Sequence, residues 1–240
     1  MFVQLKMCTV AACALLICLC GVSSFGQEPV PQQSTTGPVP PASVEPVRTQ
    51  AFEGGGASPT IPGVPSYMWR HGCGPTALGM VLGYYDSHGY PALYAGDASN
   101  QTESVNQEIA SQGSGIKGSG LQLHFEDYAL PNDSDQSPIL PDCSVGYPDG
   151  CHASNSIADF MHTSWSADGN RYGWSWSSKI IDSFRSYVNL KSPYYRPQST
   201  MYYGSSLTWS VLTNEIDNNR PMVFLVDSTG DGVSDHFVTV

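Results

Sequence analysis

The run Gly72-Cys73-Gly74-Pro75-Thr76-Ala77, followed by Leu78-Gly79-Met80-Val81-Leu82-Gly83-Tyr84-Tyr85-Asp86, is the stretch that most restricts what this chain can become. Its apolar residues recur at helical spacing, which predicts a buried helix. Pro75 falls in the first turn, where a missing N–H costs no intrahelical bond. A helix starting at Cys73 holds that thiol at the positive end of the macrodipole, among the first-turn N–H groups. Both favour the thiolate, which is the nucleophilic form. The same residues leave a second reading open, in which Cys73 is a small buried hydrophobe heading a core helix.

The 240 residues do not all belong to one folded unit. Residues 1–26 read as a secretory signal: Lys6 gives the positive start, Met7 to Val22 the apolar stretch, and Ser24-Phe25-Gly26 a cleavage site flanked by small residues. The apolar stretch is short for a membrane span. Val10-Ala11-Ala12-Cys13 resembles a lipoprotein box only loosely and lies inside that stretch. The expectation is a secreted, periplasmic or cell-surface protein with no span in its mature chain. Residues 27–60 form a linker rich in Pro, Gly and Ser that cannot build a core. Residues 61–240 are the size of one domain. Their last apolar run stops in mid-strand at Val240, so the domain is expected to continue past it.

A formal net charge of −11, from ten basic and twenty-one acidic residues, excludes nucleic acid and anionic membrane as expected partners, since both need clustered Lys and Arg. Removing the leader takes away four of the seven cysteines and leaves Cys73, Cys143 and Cys151. In an oxidising compartment an odd count leaves one thiol over. Cys143 and Cys151 flank a loop containing Gly146, Pro148 and Gly150 that lets them meet as a disulfide, leaving Cys73 free. Closing so short a loop contributes about 2–3 kcal/mol if unstrained. A zinc site from Cys143, Cys151 and His152 lacks a fourth ligand and the usual close spacing, so no metal is assigned.

After the Cys73 helix the chain from Gly89 to Gly173 is rich in Gly, Ser, Asp, Asn and Pro, with one short helical candidate at Asn155 to Thr163. A second helix is predicted near Ser178 to Leu190, with Ile180, Ile181, Phe184, Tyr187 and Val188 on one face. A third starts near Thr208, with Trp209, Leu212 and Ile216 inward, and stops at Pro221. Two strands follow, Met222 to Val226 and His236 to Val240, joined by a polar turn. This is an α+β layout. In the turn, Asp227-Ser228-Thr229-Gly230-Asp231-Gly232 looks like the start of a calcium loop, but its twelfth position is Val238 rather than Glu, so an ordinary acidic turn is the better reading.

His236 is the natural partner for Cys73, because imidazole titrates near neutral pH and can take a proton and return it. The two lie 163 residues apart, so only tertiary folding can join them. The segment from Val64-Pro65-Ser66-Tyr67 to the Cys73 helix resembles the nucleophile segment of bacteriocin-processing-type, papain-like cysteine peptidases, the peptidase C-thirty-nine-like group. Glu215-Ile216-Asp217-Asn218-Asn219-Arg220-Pro221-Met222-Val223, with Asp235-His236-Phe237-Val238-Thr239-Val240 after the turn, resembles the same group's histidine segment.

The resemblance implies a papain-like fold, with the nucleophile helix packed on a C-terminal antiparallel sheet. It also implies thiol-dependent hydrolysis of peptide or amide bonds, with Cys73 as nucleophile, His236 as base and no cofactor. Two departures stand out. The group's glutamine six residues before the nucleophile, an oxyanion donor, is replaced here by Tyr67, which is the tentative substitute beside the Trp69-Arg70-His71 segment. The group carries an Asp or Asn after the histidine strand to orient the imidazole, but this sequence ends four residues past His236. Either the protein continues and supplies that residue or the site is incomplete, and Asp235 should point to the opposite face. The alternative function is therefore an inactive papain-like domain used for binding, with Tyr194, Tyr195, Tyr202, Tyr203, Trp165, Trp174 and Trp176 as a candidate surface or, on the preferred reading, as core.

Overall fold

The helix expected after Gly72 forms as α1 (Cys73–Ser87), and it is buried on almost every side. Leu78, Val81 and Leu82 are fully enclosed. Its glycines let neighbours come close: a Cβ on Gly79 would stand 2.7 Å from Cγ1 of Ile109, and one on Gly83 would meet Pro65 at 3.0 Å. Glycine inside a helix costs about 1 kcal/mol relative to alanine, and here that cost is offset by tight packing.

The computed structural model describes residues 2–7, 60–70, 72–110, 154–163, 173, 175–228, 230–232 and 234–240. Within them run β1 (Phe2–Lys6), α1, α2 (Glu103–Ile109), α3 (Ile157–Phe160), α4 (Ile180–Lys191), β2 (Gln198–Tyr202), α5 (Trp209–Asp217), β3 (Met222–Val226) and β4 (His236–Thr239). The architecture is α+β, with one four-stranded antiparallel sheet in the order β2-β1-β3-β4. α1 packs on β4 and β3, and Thr239 Oγ1 donates to the Ala77 carbonyl at 2.9 Å, pinning the edge strand to the helix.

The expected elements from residue 155 onward all form, each within a few residues of its expected limits. α3 is shorter than its candidate and begins with a capping box, Ser156 and Asp159 each serving the other's backbone N–H. α4 presents Ile180, Phe184, Tyr187 and Val188 to the core, as its period requires.

Three expectations need correction. The stretch after Gly89, read with a helical candidate only at Asn155 to Thr163, also forms α2, capped by the Thr102 side chain, which accepts from the Val105 N–H, and buried through Val105 and Ile109. The sheet is not built from C-terminal strands alone, because β1, from the residues read as the start of the leader, lies between β2 and β3. Val3 and Leu5 fill the core there, whereas the leader expectation places them outside the fold. α5 also turns differently from its apolar pattern: Trp209 is 76% exposed, while Glu215 is 1% exposed and bonded through both carboxylate oxygens to Arg220 at 2.6 Å. An ion pair takes the inward position that periodicity gave to an apolar side chain. Of the tyrosines expected in the core, Tyr195 is buried and Tyr194 projects outward. Trp165, Trp174, His71, Cys143, Cys151 and His152 lie outside the described residues, as do the linker up to residue 59 and the leader from residue 8.

Candidate active site

Cys73 is the first residue of α1 and is buried. The chain reaches it through Gly72, whose φ of 138° only glycine adopts without strain. A side chain at Gly72 would also press on the Gly173 carbonyl at 2.9 Å. Thr76, one turn into the helix, straps this approach. Its hydroxyl donates to the Gly72 carbonyl at 2.7 Å and accepts from the Arg70 N–H at 2.8 Å. The hydroxyl is buried and holds both ends of the loop that delivers the cysteine.

β4 brings the second half of the site. The Phe237 N–H points from the sheet edge to Cys73 Sγ at 3.5 Å, a donor that adds to the helix N-terminus in favouring negative charge on sulfur. The Phe237 ring lies against Gly74, where a Cβ would come 3.1 Å from Cδ2 and 2.8 Å from Met161 Cε. Glycine beside the thiol is thus what lets the strand approach. On the same strand the His236 side chain hydrogen-bonds that of Cys73. This bond and the thiolate charge hold the imidazole pKa above the ordinary 6.5, against the opposing effect of burial. The histidine's Nδ1 is buried with no hydrogen-bond partner among the described residues.

The structure therefore joins Cys73 and His236, but it does not bring Tyr67 to them. The Tyr67 hydroxyl donates to the Ala98 carbonyl and lies against Gly83, ten residues along α1 from Cys73, or about 15 Å at 1.5 Å per residue. Its pKa is driven well above the tyrosine range, by burial first and then by Asp86 and Asp97. Tyr67 is a core residue, and the oxyanion role expected of it is withdrawn. Asp235 is also committed elsewhere, its carboxylate accepting from the Ser228 N–H at 2.8 Å and the Ser228 hydroxyl at 2.7 Å. The neighbouring Asp227 accepts from the Gly230 and Gly232 N–H groups, both at 2.6 Å, so these acids fold the turn. Two features escaped the sequence reading. The Thr76 strap was signalled by a threonine one turn into a helix, able to bond back to the carbonyl four residues earlier. The Phe237 N–H has no side-chain signature at all.

A family model described as the Peptidase_C39 like family matches residues 61–240, three quarters of the chain. The chain belongs to this family. The matched stretch contains both Cys73 and His236, the pair placed together above. No curated protein and no solved structure matched in the corresponding comparisons.

Proposed function

We propose that this Peptidase_C39-like domain is a secreted cysteine peptidase of papain-like fold that hydrolyses peptide or amide bonds. The reading is carried by the Cys73–His236 contact at the head of α1. In this reading the Cys73 thiolate attacks the scissile carbonyl carbon, forming a C–S bond and an oxyanion. The His236 imidazolium gives its proton to the leaving amine as the C–N bond breaks. Water, deprotonated by His236, then hydrolyses the thioester and returns the thiol. The Cys73 N–H serves as one oxyanion donor.

One observation favours the second reading, an inactive binding domain. The described residues supply neither an acceptor for His236 Nδ1 nor the oxyanion donor sought in Tyr67. The rate of Cys73 alkylation against pH, in wild type and His236→Ala, separates the two. Rapid labelling far below pH ~8.5 that disappears in the variant supports the peptidase. Labelling that rises only near that pH, alike in both proteins, leaves the binding domain standing.

A further inference from the structure

The middle of the sheet is filled by a strand from the far end of the chain. β1 runs antiparallel to both neighbours, with Phe2 to Lys6 opposite Tyr202 to Gln198 and Phe2 to Gln4 opposite Phe224 to Met222. Beyond the ladders, two tyrosines of the domain clamp its backbone: Tyr85 donates to the Leu5 carbonyl at 2.6 Å and Tyr90 to the Met7 carbonyl at 2.7 Å. Val3 and Leu5 are fully buried, and Gln4, on the opposite face, is 5% exposed beside the Tyr202 hydroxyl. Main-chain bonds on both edges with pockets for alternate side chains are the elements of strand-addition recognition. Residues 2–6 also open the leader, and a leader drawn through a membrane and cut away cannot stay in a sheet.

We propose that the position between β2 and β3 is a strand-acceptor slot, and that once the leader is removed it binds an extended peptide carrying medium-sized apolar side chains at the Val3 and Leu5 places and a carboxamide between them. The proposal rests on the leader reading, not on the peptidase chemistry. β1 in the unprocessed chain is the slot's cis occupant, and its sequence defines the ligand.

The test uses the full chain, exported by a secreting host. The mass of its N-terminal peptide shows whether residues 1–26 are gone. A fluorescent hexapeptide with the sequence of residues 2–7 is then titrated into it and followed by anisotropy, beside a version carrying Val3→Asp and Leu5→Asp. The expected result is a processed protein that binds the first peptide one to one and the second at least about tenfold more weakly, because each pocket would then bury a carboxylate. A processed protein that folds only when the peptide is added supports the proposal equally. An exported protein that still carries residues 2–6 overturns both the leader reading and the proposal. A processed protein that ignores the peptide overturns the slot alone.

Discussion

At the scale of single residues, the site depends on groups that hold Cys73 rather than on Cys73 alone. Thr76→Val keeps the shape but leaves the Gly72 carbonyl and Arg70 N–H without the hydroxyl that serves them. Unfolding by urea should show a loss of about 1–2 kcal/mol, and Cys73 alkylation should slow, with Thr76→Ser restoring both. The two histidines near the site titrate in opposite senses. The raised pKa of His236 means that its stabilisation is full below about 6.5 and is lost as pH rises through the higher folded value, a slope that His236→Ala should remove. His162, with a backbone φ of 53°, is held near 4 instead of 6.5, by burial first and then by the Lys179 charge. The unfolded chain therefore takes up this proton first, and stability should fall as pH drops from 6.5 toward 4. Melting temperatures across that window, flattened in His162→Gln, would check it.

At the scale of elements, the approach of β4 to α1 is set by the smallest side chain available. Gly74→Ala places a methyl into the Phe237 ring and Met161, both of which would have to move. The expected cost is about 1–3 kcal/mol, with a loss of thiol reactivity larger than the loss of stability would explain, measured by alkylation of the folded variant. α5 depends on an ion pair. Burial alone would raise the Glu215 pKa, yet bonds from Arg220 and Gln4 and the Arg220 charge hold it below the ordinary value. That stability is present above the unfolded carboxylate pKa and lost as pH falls through the folded one. Glu215→Ala should destabilise strongly, by about 3 kcal/mol or more, because Arg220 would keep a partly buried charge without its partner. α1, α3, α4, α5 and the last two strands were legible because their periods and breakers are local, whereas α2 was not, since it is one short helix, with only Val105 and Ile109 buried, in a stretch of polar and turn residues. The inward turn of Glu215 was not, because its partner follows the helix and their pairing is decided only when α5 meets the sheet.

At the scale of the whole molecule, the sheet is a long-range object, and it joins residues about 200 apart in the chain that carries residues 2–6. Cysteines introduced at Gln4 and Thr200, which are register partners, should form a disulfide in that chain, detectable as a shift on non-reducing gels. The sequence by itself determined the helix that begins at Cys73, the α+β order, the strand carrying His236 and, through the residues flanking both, the family. Those features rest on spacing along the backbone, which any reader of the chain can count. Tertiary structure alone decided that Cys73 and His236 meet, that Tyr67 turns into the core instead of the site, that a backbone N–H serves the sulfur, and that the first strand sits in the middle of the sheet. Each is a choice of partner across the fold, and hydrogen-bond donors, apolar strands and tyrosine hydroxyls choose by proximity in the packed state, which residue type does not encode.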